Sequence, residues 1–132
     1  MVDGIKMELK GKTVFKGKVK GEALITKQQI SFYGGVDPDT GVVTEKGHEL
    51  EGKSVAGKIL VFPSGKGSTV GSYGLYRMKK NGVAPLGMIN QNCETIVAVG
   101  AVISEIPMVD RIDISKITSG FKVEIDGDKV RF

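Results

Sequence analysis

One histidine, one cysteine and no tryptophan occur among 132 residues. This scarcity closes off several chemistries. With His48 the only histidine, no pair or triad of histidines can assemble within the chain, and His48 is expected on the surface. Cys93 alone excludes an intramolecular disulfide and agrees with a reducing compartment. Nor can one cysteine hold an iron–sulfur cluster, which needs several protein ligands; Cys93 is expected to be a partly buried packing residue. No apolar run approaches the roughly 18–20 residues that cross a bilayer, and the N-terminus lacks a signal-peptide core, so a cytosolic location is expected. Aromatic residues make up only 6% of the chain, too few to interleave with the basic residues as a nucleic-acid surface usually requires.

What remains is an ordinary globular composition, 40% hydrophobic and 26% charged, in a length that suits one domain over residues 1–132. The net charge is +4. Much of it comes from Lys6, Lys10, Lys12, Lys16, Lys18 and Lys20, spaced as the solvent face of a strand, where lysines also discourage edge-to-edge association. The charge would equally suit a small anionic substrate.

Apolar alternation predicts strands over Ile5–Leu9 and Lys18–Thr26, and an extended start to Gln29–Tyr33. A short strand is expected at Val42–Thr44, before a polar segment, Glu45–Lys53. Lys58–Phe62 carries a continuous apolar run, the pattern of a strand buried on both faces. A helix follows from about Ser68 to Lys80, stopped by Asn81-Gly82. Gly71 and Gly74 are poor helix formers, so something is expected to approach that helix closely. Ala84–Ile89 reads as a strand, Glu94–Ile103 as a second helix with Asn92 as N-cap, and Pro107–Ile112 as another strand. Phe121–Phe132 reads as a hairpin turning at Asp126-Gly127-Asp128. The order predicts an α/β fold: a central, mainly parallel sheet with two main helices, and a β-rich, barrel-like layer from the first half and the hairpin.

Two glycine-rich loops stand out. In Pro63-Ser64-Gly65-Lys66-Gly67-Ser68-Thr69 a strand runs through small residues and one cation into a helix start. Such a place binds anions and can stabilise an oxygen base. The loop is no nucleotide P-loop: Gly67 follows Gly65-Lys66, and Leu60 stands where the first glycine belongs. Ser68 reads as a helix N-cap, as a hydroxyl presented to substrate beside Lys66, or as both. The second loop, Ser31 to Gly41, is led by Phe32 and Tyr33 and carries Gly34, Gly35, Asp37 and Asp39. It is long enough to suggest binding. Few apolar anchors are expected to hold either loop.

Taken together, Ile30–Gly41, Gly57–Thr69, Gly82-Val83-Ala84-Pro85 and Val99-Gly100-Ala101 resemble the separate small subunits of the aconitase X branch of the aconitase superfamily. The resemblance spans nearly the whole chain. It implies a swivelling β/β/α domain that closes over an active site shared with a large subunit, in an archaeal hetero-oligomer. The implied reaction is dehydration of (R)-5-phosphomevalonate to trans-anhydromevalonate 5-phosphate in a modified mevalonate pathway. The resemblance places an iron–sulfur cluster, of the four-iron type, in the large subunit, where its iron would act as a Lewis acid on the leaving hydroxyl.

By the same resemblance Ser68, preceded by Gly67, is the base that takes the proton next to the substrate carboxylate, with Ser64 as its competitor. Lys66, Gly67 and Thr69, with Gly34 and Gly35 from the second loop, are the expected substrate-binding residues. One departure is plain: the arginine that follows the serine pair in aconitase proper is replaced by Val70, and Lys66 is expected to supply the charge. The alternatives are a related hydroxy-acid dehydratase, such as one acting on a 3-hydroxyproline, and a non-catalytic nucleic-acid-binding module.

Overall fold

The computed structural model describes residues 7–66, 71–118 and 120–132. Its elements are β1 (Glu8–Lys10), β2 (Lys12–Phe15), β3 (Lys18–Ile25), β4 (Ile59–Phe62), α1 (Gly71–Lys80), β5 (Gly87–Asn90), α2 (Thr95–Ser104), β6 (Met108–Asp110), a single 3-10 turn at Ile114–Lys116, β7 (Lys122–Asp126) and β8 (Lys129–Arg131).

The apolar run Ile59-Leu60-Val61-Phe62 is buried along its whole length, as its continuity predicts. Because successive side chains of a strand point to opposite faces, Ile59 and Val61 enter one hydrophobic cluster and Leu60 and Phe62 another. Met88 and Met108 join the cluster of Leu60, whereas Ile89 and Val109 join that of Ile59. The sheet therefore separates two cores. One is roofed by α1, α2 and the long connection of residues 26–58; the other is lined by β3, β7, β8 and the segment around Ile114. Each fully buried side chain of this size contributes about 1.5–3 kcal/mol relative to exposure.

Strands β3, β4, β5 and β6 run parallel, β7 pairs antiparallel with β3, and β8 pairs antiparallel with β7. The strand order is β1-β8-β7-β3-β4-β5-β6-β2. Its two ends, β1 and β2, are separated in the chain only by Gly11, so the sheet curls until its edges meet. At the seam the Gly11 N–H donates to the Asp128 carbonyl at 2.8 Å. A Cβ on Gly11 would stand 2.2 Å from the Asp110 carbonyl oxygen, so only glycine fits. This is an α/β fold with the parallel sheet, two helices and barrel-like layer that the sequence predicts.

Lys10, Lys12, Lys16, Lys18 and Lys20 are exposed as expected, but they are divided among β1, β2, β3 and the β2–β3 connection and do not form the face of one strand; Lys6 and Ile5 lie outside the described residues. The hairpin turns at Gly127, whose φ of 63° suits a tight turn. Helix α1 ends as expected, with Gly82 at φ 74° and the Val83 N–H returning to the Met78 carbonyl at 2.9 Å. The expected helix start at Ser68 lies outside the described residues.

Other expectations are corrected. Strand β2 was not foreseen, and β5 begins at Gly87 rather than Ala84. Val42 and Val43 form isolated bridges to Ser54 and Val36, not a strand. Helix α2 is capped by Glu94, whose Oε1 accepts from the Val97 N–H at 2.8 Å, and not by Asn92. The Asn92 N–H is committed instead to the Pro63 carbonyl at 2.9 Å, which holds residues 91–92 outside the helix.

Candidate functional site

The parallel strands end on one edge of the sheet, where ligands of α/β proteins commonly bind. Beyond β4 the chain continues through Pro63 and Ser64 alongside Gln29–Ser31. Ile30 and Gly65 form a parallel bridge, and the Lys66 N–H donates to the Ile30 carbonyl at 2.9 Å. A Cβ at Gly65 would meet the Val97 Cγ2 at 2.2 Å, so this loop needs glycine to lie against α2. Ser64 Oγ accepts from Gln29 Nε2 at 2.8 Å, which occupies the competing serine structurally. Gly67, Ser68 and Thr69 lie outside the described residues.

The second loop is better anchored than its composition predicts. Phe32 and Val36 are buried in the helix-side core, and the Phe32 ring meets Phe62 edge-on with centroids 5.8 Å apart. Asp37 and Asp39 serve the loop itself. Asp37 Oδ1 accepts from the Asp39 N–H, and Asp39 Oδ1 accepts from Arg77 and Asn81 at the end of α1. The expected close approach to α1 occurs at Gly74, which lies against the Phe32 carbonyl, whereas a Cβ at Gly71 would meet no atom of the described residues nearer than 3.6 Å.

The two loops meet through a residue that sequence reasoning missed. The Gly35 carbonyl accepts from the Thr44 N–H at 2.9 Å and from the Glu45 N–H at 3.3 Å, and Thr44 Oγ1 donates to the Gly34 carbonyl at 3.4 Å. Glu45 Oε2 then lies 2.9 Å from Lys66 Nζ. The structure thus gathers Gly34, Gly35 and Lys66 around Thr44-Glu45, and the Lys66 ammonium is paired rather than free. Nothing in the local sequence pattern marks Glu45; its partner is 21 residues away.

Two cavities flank these loops. One of about 260 Å³ lies between the second loop and α1, lined by Tyr33, Gly34, Tyr73 and Arg77 among others. The other, about 310 Å³, sits at the strand ends and is lined by Thr26, Lys27, Pro63, Gln91 and Ser115 among others. Its polar members were also not foreseen, because they come from three separate connections.

His48, expected on the surface, is buried. Its Nδ1 accepts from the Leu50 N–H at 3.1 Å, which leaves Nε2 to donate to the Gln29 carbonyl at 3.0 Å. Beside it Glu49 accepts from Thr26 Oγ1 and from the Lys27 N–H. The Thr26 hydroxyl first, and that N–H second, hold the Glu49 carboxyl below its ordinary value. These contacts fasten the long connection to the end of β3.

Cys93 packs partly buried against the helix-side core, as expected. Burial first, then the nearby Asp110 and Glu94 carboxylates, pushes its thiol up to about 11. Among the described residues no three His, Cys, Asp or Glu side chains come together as a metal site. A lone, protonated thiol is a poor ligand, and this donor set does not fit an iron–sulfur cluster. Among the described residues no helix is long and apolar enough to cross a membrane.

Comparison with known proteins agrees with this architecture. The family model of the aconitase X swivel domain matches residues 8–132. The chain is similar to the phosphomevalonate dehydratase small subunit of Thermococcus sibiricus, with 57% identity over 123 residues, 93% of this chain and 95% of that one. The small subunit of the same name from Methanocella arvoryzae is 56% identical over 124 residues, covering 92% and 94% of the two chains. The crystal structure of Thermococcus kodakaraensis aconitase X in its holo-form matches with a TM-score of 0.93 at 52% identity, over 95% of this chain and 97% of that chain. A fold and a sequence that agree with these relatives over nearly the full length have one explanation: the chain belongs to the aconitase X swivel-domain family.

Proposed function

We propose that this chain is the small subunit of a hydro-lyase that dehydrates (R)-5-phosphomevalonate, acting in the cytoplasm as one swivel domain over residues 1–132. The observation that carries the reading is 57% identity, over 93% of the chain, to a protein named as that small subunit. The gathering of Gly34, Gly35 and Lys66 on one edge of the sheet supports it, since Lys66 leads directly into Gly67-Ser68.

Ser68 is the proposed base. Its oxygen, as the alkoxide, takes the proton from the carbon next to the substrate carboxylate, and the electron pair of that C–H bond forms the double bond. The β-hydroxyl leaves with the electrons of its C–O bond, becoming water by taking a proton from solvent. A serine oxygen is too weak a base unless positive charge or oriented N–H groups stabilise its anion. Lys66, Gly67 and Thr69 are the proposed sources, with Gly34 and Gly35 supplying main chain on the substrate's other side. Any iron–sulfur cluster belongs to the large subunit in this reading, because the donors among the described residues do not fit one.

The test is turnover of 5-phosphomevalonate by the chain co-purified without oxygen with its large subunit. Ser68→Ala abolishes activity in an intact complex, while Ser64→Ala retains it, the Ser64 hydroxyl being engaged by Gln29. Full activity in Ser68→Ala would move the base elsewhere. A wild-type complex inactive on this substrate but active on another hydroxy acid would correct the substrate.

A further inference from the structure

The Lys66–Glu45 pair poses an electrostatic puzzle. A substrate bearing a carboxylate and a phosphate is expected to approach Lys66, yet a carboxylate already sits 2.9 Å from that ammonium. A negative neighbour weakens the binding of an anion unless it does something else for the site. Glu45 has the geometry for such a task. Its own N–H and that of Thr44 are fixed to the Gly35 carbonyl, so its main chain belongs to the second glycine-rich loop. Lys66 is fixed by its N–H to the Ile30 carbonyl, so its main chain belongs to the loop after β4. The side-chain pair bridges the two. It is also open on one side, with 41% of the Lys66 side chain and 31% of the Glu45 side chain exposed, so a third, anionic group can reach the ammonium while Glu45 holds it.

We propose that Glu45 is a positioning residue: its carboxylate fixes the Lys66 ammonium and locks the two glycine-rich loops into one unit before the large subunit and substrate engage them. This rests on the dehydratase reading. A solvent-exposed ion pair adds little to overall stability, so the contribution is to geometry. Small misplacements at a reacting centre reduce turnover far more than they reduce folding.

The experiment compares Glu45→Gln, Glu45→Asp and Lys66→Gln in the co-purified complex, with amide exchange followed on the free full-length chain. Glu45→Gln keeps the side chain's shape and removes its charge. It is expected to lower kcat about tenfold or more with KM unchanged or reduced, because the anion now meets an unopposed but wandering lysine. Glu45→Asp is expected to recover part of kcat, and Lys66→Gln to raise KM. In the free chain, exchange at the Thr44 and Lys66 amides is expected to accelerate together in Glu45→Gln. Unchanged exchange, a kcat within about twofold of wild type, or a KM rise matching that of Lys66→Gln would each overturn the proposal. If the wild-type complex fails to dehydrate 5-phosphomevalonate, the dehydratase reading falls, and coupled exchange still decides whether Glu45 locks the loops.

Discussion

The carbonyl oxygen of Phe32 stands 2.1 Å from where a Cβ at Gly74 would lie. Helix α1 can rest on the second glycine-rich loop only because Gly74 carries no side chain. Replacing glycine by alanine inside a helix ordinarily stabilises by about 1 kcal/mol. At Gly74 the clash is with main chain, which cannot swing aside, and it outweighs that gain. Gly74→Ala is therefore expected to lower the melting temperature. Gly71→Ala, where the nearest described atom is 3.6 Å away, is expected to hold or raise it. Thermal melts of the two variants side by side test the contrast, and equal melting temperatures would refute the close approach as the reason for glycine.

His48 holds two stretches of main chain, accepting a hydrogen bond from the Leu50 N–H and donating one to the Gln29 carbonyl. His48→Ala strands both groups, the former in a buried setting. An unsatisfied buried group costs about 1–3 kcal/mol, so a loss of that size in chemical denaturation is expected. The loss should concentrate in residues 26–58, read as faster amide exchange there than in β4. A uniform change across the chain would argue against a local clasp.

Acid should release the same connection. The Glu49 carboxyl is held below its ordinary value of 4.5, chiefly by the Thr26 hydroxyl. A carboxyl with a depressed folded pKa contributes stability that is present above 4.5 and is lost as pH falls through the folded value. Glu8 and Asp126, both drawn to Arg131, shift in the same direction and add to the slope. Wild type is expected to lose stability below about pH 4.5, and Glu49→Gln to lose less over that window. Parallel stability–pH curves for the two proteins would rule out Glu49 as a contributor.

Cys93 should be slow to react. With its thiol pushed up to about 11, almost none of it is thiolate near neutral pH, and the thiolate is the reactive form. Alkylation by iodoacetamide at pH 8 is expected to lag far behind that of free cysteine and to speed up on unfolding. Rapid modification of the folded chain would contradict the burial and the neighbouring carboxylates that raise it.

The parts of the fold legible in the sequence are those whose signal is local. The continuous run of β4, the Gly127 hairpin and the Asn81-Gly82 stop each follow from residues within a few positions of one another. The connection over residues 26–58 hid its anchoring, because Leu50 and Val55 stand singly in polar stretches, while Val43, expected in a short strand, is buried at an isolated bridge instead. The cap of α2 was misplaced for a different reason: Asn92 has the better capping side chain, but tertiary bonds to Pro63 take residues 91–92 out of play. At the candidate site Gly34, Gly35 and Lys66 stood out by residue type. Glu45 did not, since one glutamate in a charged run looks like any solvated residue until folding brings Lys66 to it. His48 misleads by rarity: a lone histidine with no chemical partner reads as surface, whereas main chain satisfies both of its ring nitrogens.

The seam at Gly11 bears on how the chain comes to be folded at all. Residues 8–10 pair with residues 129–131, and residues 12–15 with residues 108–110. The earliest part of this segment to emerge from a ribosome must therefore wait for nearly the whole chain before either neighbour exists. Such long-range pairing slows folding, because the entropy of closing a large loop is lost before any contact rewards it. During synthesis the parallel strands can assemble with their helices, and β2 can join β6, while the outer edge of β7 stays unpaired and open to other nascent chains until β8 follows. The lysines that crowd residues 10–20 then act at that stage, repelling like copies of the segment until residue 131 arrives to take its place beside it.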